Sequence, residues 1–114
     1  MADRHDAALL VQLAQWGTAM GIEDATVAVF ADDFEPEAAS AEDAQVTRLL
    51  TWAETVGTLT KNGLLDTDLV LDWFWVSGLW ERVGPAALKL RDKLGSPELY
   101  VNFEALAARG TNSA

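Results

Sequence analysis

The sequence predicts an all-α fold, a small bundle of four to five helices, and three observations predict it. Apolar residues recur at three-and-four spacing along nearly the whole chain, no stretch alternates apolar and polar for long, and no Asn-Gly or Asp-Gly hairpin turn occurs. With 114 residues, half of them hydrophobic, the chain suits a single helical domain over 1–114. Its lack of cysteine excludes a disulfide framework, a thiolate nucleophile and every Cys-ligated metal centre.

The first helix is expected over about Asp6 to Met20, burying Leu9, Leu10, Leu13, Trp16 and Met20 and stopping at Gly21, where a left-handed cap costs a glycine little. A short second helix follows over about Asp24 to Asp32. Pro36 then lacks an amide donor and disfavours helix at Glu35, so residues 33–39 read as an acidic surface loop. Ser40 and Asp43 come close to a capping box for the third helix, whose apolar stripe is Val46, Leu49, Leu50, Ala53, Val56 and Gly57, widened by Trp52 and Leu59. Lys61 and Gly63 supply its carboxyl-terminal signals.

After Asp66 or Thr67, the residues Leu69, Trp73, Val76, Trp80, Val83, Ala87, Leu90 and Leu94 keep alternating spacings of four and three. This register passes through Gly84 and Pro85. The expectation is one long helix over about 67–94, kinked near Pro85, with Gly84 and Pro85 as its hinge. A break with Pro85 opening a separate helix is the alternative. Ser96, Pro97 and Glu98 announce a last helix, with Leu99, Phe103 and Leu106 inward, and residues 111–114 are expected to fray.

Charge divides the chain. Residues 1–57 carry eleven acids and two bases, a net of −9, while residues 58–114 contribute −1. Eight of those acids fall in 23–43 with no base among them. Phosphate binding needs clustered Lys and Arg, so neither nucleic acid nor an anionic membrane surface is an expected partner. Solvation explains the acidity most simply. The sharper reading is docking with a basic protein, or with Lys89, Arg91 and Lys93 of another copy. No basic region leads into an apolar run at the start, and the most apolar stretch, 69–80, is too short for a bilayer span of about 20 residues, so the expected location is the cytoplasm.

The part of the chain from Leu69 to Trp80 is apolar on nearly every side, through Val70, Leu71, Phe74, Trp75 and Leu79. A helix apolar all round must be surrounded. That predicts a homo-oligomer, with a twofold dimer favoured; alternatively Phe74 and Trp75 sit under the first two helices of the same chain. Trp16, Trp52, Val70, Trp73, Phe74, Trp75 and Trp80 are therefore the candidates for an interface or a pocket.

Chemistry-bearing groups are few. His5 precedes the first helix, so no triad or His–carboxylate metal site can assemble in the expected core. The acids at Asp66, Asp68 and Asp72, and those of the loop, do not have calcium-loop spacing, and no Gly-rich phosphate loop occurs. No catalytic residue, metal or cofactor is expected. A polar stripe of Thr47, Thr51, Glu54, Thr58 and Lys61 on the third helix is either wet or places Glu54 against Arg82 as a register-fixing ion pair.

The run from Glu54 to Val70, with its Gly63-Leu64-Leu65-Asp66 turn, then Asp72-Trp73-Phe74, then Trp80-Glu81-Arg82-Val83-Gly84-Pro85 and the closing Tyr100 to Glu104, resembles a bacterial family of small helical proteins, domain of unknown function 4760. The resemblance covers about residues 45–107 and implies an α-helical bundle without implying an activity. The first 44 residues fall outside it. The reading is a non-enzymatic, self-associating binding or scaffold module. The alternative is a sensor or enzyme-accessory subunit with a small-molecule pocket among Trp16, Trp52, Trp73 and Trp80.

Overall fold

The computed structural model describes residues 2–112, and among these the chain forms six helices and no strand. They are α1 (Arg4–Met20), α2 (Ile22–Phe30), α3 (Ala44–Lys61), α4 (Thr67–Trp73), α5 (Val76–Leu94) and α6 (Val101–Asn112). Among the described residues no helix is long and apolar enough to cross a membrane. α6 includes 111 and 112, where fraying was expected, and 113–114 lie outside the described residues.

Local signals set most of the ends. Asp3 caps α1 in a reciprocal box with Asp6, and Gly21, at φ 77°, closes α1 and opens α2. Asp66 caps α4 by accepting from the Leu69 N–H at 2.9 Å. Gly95, at φ 63°, ends α5. Ser40 and Asp43 do exchange hydrogen bonds with their turn, but the turn precedes the helix and α3 begins after it.

α3 is the central helix. Val46, Leu49, Leu50, Trp52, Ala53, Val56, Gly57 and Thr60 are all buried, which is burial on most of its circumference. α6 and α2 flank it most extensively, and α5 lies against α6. The α3–α6 approach is unusually close: a Cβ on Gly57 would stand 2.6 Å from the carbonyl carbon and oxygen of Asn102 and 2.9 Å from the Phe103 nitrogen. Only a residue without a side chain allows this.

One turn before Gly57, the Glu54 carboxylate accepts from the Phe103 N–H at 2.8 Å and from the Asn102 side-chain amide at 2.9 Å. α6 needs this help. Tyr100, the residue before it, takes a left-handed conformation at φ 58°, and the expected cap at Ser96 and Pro97 forms only a turn. The helix therefore starts four residues later than its local signals suggest, where a carboxylate from α3 supplies the acceptor that a capping side chain would provide. Arg91 of α5 fixes the same turn, donating to the Leu99 carbonyl at 2.7 Å and pairing with Glu104 at 2.9 Å.

The helix expected over 67–94 is two helices. The chain parts at Phe74 and Trp75, and not at Pro85, through which α5 continues. Phe74 is fully extended (φ −146°, ψ 160°), and Trp75 (φ −80°, ψ 82°) sits in a tight turn in which the Val76 N–H reaches the Phe74 carbonyl at 3.0 Å. Gly84 makes room for an indole, since a Cβ there would stand 2.7 Å from the Trp80 ring.

Asp6 ties the start of α1 to the start of α4, accepting from the Asp66 N–H at 2.8 Å as well as from the Asp3 N–H at 2.9 Å. These two backbone donors, Asp3 first and then Asp66, hold its carboxyl below the ordinary aspartate range. A lowered folded-state pKa means stability that is complete above the unfolded-state value and is lost as pH falls through the folded one. Urea midpoints measured from pH 7 down to pH 2 should therefore show Asp6→Asn less stable than the wild type at neutral pH, with the gap narrowing only below about pH 4. Gly57→Ala should destabilise the fold by about 1–3 kcal/mol at unchanged denaturant dependence, because backbone rather than a flexible side chain must yield.

Candidate functional site

The described residues enclose an aromatic cleft of about 460 Å³ between α1 and α2 on one side and the α4–α5 junction on the other. Trp52 of α3 forms its floor. The indole is 5% exposed, and its N–H donates to the Leu13 carbonyl of α1 at 3.0 Å. Gly17, one turn after Leu13, permits this, since a Cβ there would lie 3.1 Å from the indole nitrogen.

The helix break builds the opposite wall. In a continuous helix, Trp73, Phe74 and Trp75 would project over roughly 200° of arc. The extended Phe74 and the turn at Trp75 instead bring Trp73 and Phe74 together onto Trp52, with ring centroids 5.3 and 5.1 Å from it. Trp75 turns the other way and lies across Gly78, where a Cβ would stand only 2.2 Å from the indole. Its ring stacks with Phe30 of α2 at 6.1 Å and 21°. Phe30 and Trp75 thus form a rim, 38% and 65% exposed, above a floor that is almost wholly buried.

The polar content of the cleft is small. The hydroxyls of Thr18 and Thr26 donate to carbonyls one turn back in their own helices, Ala14 at 3.1 Å and Ile22 at 2.7 Å. Glu23 is the charged residue of the lining. Among the described residues no group of three or more His, Asp or Glu side chains is placed to hold a metal ion.

The structure separates the residues that the sequence suggested for one pocket. Trp52 and Trp73 meet in the cleft, joined by Phe74 and Trp75. Trp80 belongs to a second cluster, edge-on to Phe103 at 5.0 Å, and Trp16 lies on the outer part of α1, 37% exposed and away from the lining. Val70 is fully buried in the core. Phe30, Gly17, Gly78 and Glu23 escaped sequence reasoning. Gly78 was the available signal, a glycine within the first turn of a helix just after three aromatic residues.

Glu54 and Arg82 do not form the expected pair. Glu54 serves α6, whereas Arg82 turns to the carboxyl-terminal end of α2 and the loop after it, donating to the carbonyls of Val29 (2.6 Å), Ala31 (3.1 Å) and Phe34 (3.3 Å). The end of a helix offers unpaired carbonyls and a partial negative charge, so a guanidinium fits there without a carboxylate. Its Cζ also lies 5.9 and 5.3 Å from the Phe30 and Phe34 ring centroids. Lys89 and Lys93 of α5 likewise reach this loop within the same chain, Lys89 at the Glu37 carbonyl (2.7 Å) and Lys93 at the Glu42 carboxylate (2.9 Å).

These features define a small all-α domain with an aromatic cleft beside its central helix. The family model described as Domain of unknown function (DUF4760) matches residues 3–109, and the chain belongs to that family. The match takes in the acidic segment, which therefore lies within the family's extent. No curated protein and no solved structure matches the chain.

Arg82→Lys should lower stability by about 1–3 kcal/mol in urea unfolding, because an ammonium cannot span three carbonyls as the fork does. Combined with Glu54→Gln, the two losses should add to within about 0.5 kcal/mol, the signature of independent sites.

Proposed function

We propose that the chain is a non-enzymatic binding module whose site is the aromatic cleft, taking an apolar organic ligand. The observation that carries this reading is the convergence of five aromatic side chains, from α2, α3 and the α4–α5 junction, on one cleft that their own packing leaves unfilled. Its size falls within the range of about 300–1,000 Å³ usual for organic ligands. Binding is favoured over catalysis by the lining itself: both threonine hydroxyls are turned back into their helices, and neither donates to the Glu23 carboxylate, so no nucleophile–base pair is formed among the described residues.

Self-association is the second reading, and one observation favours it. Val27, 72% exposed, joins Phe30 and Trp75 in leaving three large apolar side chains of α2 and the junction in water. Much of the apolar surface between Leu69 and Trp80 is covered within one chain, where Val70, Val76 and Leu79 are buried and Phe74 packs on Trp52. A constant mass of 12.3 kDa in light scattering from micromolar to millimolar concentration would dismiss it.

N-phenyl-1-naphthylamine, an uncharged fluorophore that brightens in apolar sites, tests the cleft. Saturable enhancement at one probe per chain is expected. It should fall at least about fivefold in affinity in Trp75→Ala, given the usual weight of an aromatic contact, and persist in Trp16→Ala, outside the lining. Absence of enhancement, or equal affinity in all three proteins, would overturn the reading.

A further inference from the structure

We infer that the ligand of this cleft is an organic cation, an apolar ring-bearing molecule with one ammonium group, its ring against the aromatic wall and its charge beside Glu23. This deepens the binding reading and rests on it. Glu23 is the charged residue of the lining, and its exposed carboxylate makes no hydrogen bond or ion pair among the described residues. No Lys, Arg or His lines the cleft. An anion entering there would meet a carboxylate and the negative faces of the rings; a cation is attracted by both.

The chain already uses this chemistry at two arginines, Arg91, whose Cζ lies 5.9 Å from the Trp80 ring centroid, and Arg82. Arg82 lies against Phe30 and Phe34, so Phe30 is a ring that the fold presents to a cation from outside the cleft while Trp75 stacks on it at the rim. The remaining cations of α5 are committed elsewhere, Lys89 and Lys93 to the loop after α2 and Arg91 to Glu104 and Leu99. None of them lines the cleft to neutralise Glu23. The carboxylate is therefore free to pair with a positive charge on a ligand.

Three probes with the same ring separate charge from apolar fit: 2-naphthylmethylamine, 2-naphthylmethanol and 2-naphthoate, titrated calorimetrically at pH 7 and low salt. The amine is expected to bind about tenfold more tightly than the alcohol, and the carboxylate more weakly than either. Glu23→Gln should bring the amine down to the affinity of the alcohol. Asp24→Asn, an exposed acid next in sequence and outside the lining, should leave the preference intact. If the three probes bind alike, or if Asp24→Asn abolishes the preference as fully as Glu23→Gln, the charge assignment is overturned while the cleft stands. If neither the alcohol nor N-phenyl-1-naphthylamine binds, the cleft itself fails as a ligand site and this inference with it.

Discussion

The contact between Gly57 of α3 and the first turn of α6 is the constraint on which the rest of the structure depends. Backbone meets backbone there at a distance that no side chain would permit, and Glu54 locks the approach by occupying the open amide end of α6. Because Tyr100 enters the helix from a left-handed conformation, α6 has no capping residue of its own and is defined by its docking on α3. Phe103, fully buried, then carries the contact outward to Trp80, and the Trp80 ring fits over Gly84. With one flank of α3 closed by α6, its other flank presents Trp52 to α1 and to the α4–α5 junction. The floor of the cleft is thus set by packing that begins on the far side of the same helix.

The second structural decision is the break at Phe74 and Trp75. A continuous helix would keep its hydrogen-bond ladder and would satisfy the apolar register equally well, since the four-and-three spacing runs undisturbed across the junction. The break sacrifices part of that ladder and gains three ring contacts around Trp52, each worth about 0.5–1.5 kcal/mol beyond the area it buries. It also reduces the arc of apolar surface that had called for a partner subunit: Trp73 and Phe74 turn in, while Trp75 folds onto Gly78 and stays largely exposed. Pro85 needs no such rearrangement. Its missing amide removes one bond from α5, while Val83, Gly84, Ala86 and Ala87 around it are buried and hold the helix in place.

This contrast shows what was legible in the sequence. Helix ends marked by Gly21 and Asp66 were readable because a cap is a property of a few consecutive residues, and the α3 stripe was readable because it repeats. The start of α6, the partner of Glu54 and the break after Trp73 were not. Each is decided by a surface brought from a distant part of the chain, and in each case the sequence pattern pointed elsewhere: Ser96 to an early cap, the unbroken apolar register to one helix over 67–94, Glu54 to Arg82. For the site, Trp52 and Trp73 could be nominated as aromatic and apolar, but their division from Trp16 and Trp80 depends on which indoles have a glycine to lie against. Gly17 and Gly78 place Trp52 and Trp75 at the cleft, and Gly84 places Trp80 in the other cluster.

The charge distribution follows the same logic. The loop of residues 31–43 is held to α5 mainly through backbone carbonyls, by Arg82 and Lys89, with Lys93 pairing one carboxylate at an exposed position where such a pair adds little. Asp32, Asp33, Glu35 and Glu37 are left exposed, as are Glu23 and Asp24 at the start of α2. Binding the loop by its carbonyls therefore orders this part of the chain without neutralising it. The amino-terminal half keeps its negative field, and the aromatic cleft opens beside it, with Glu23 in its lining.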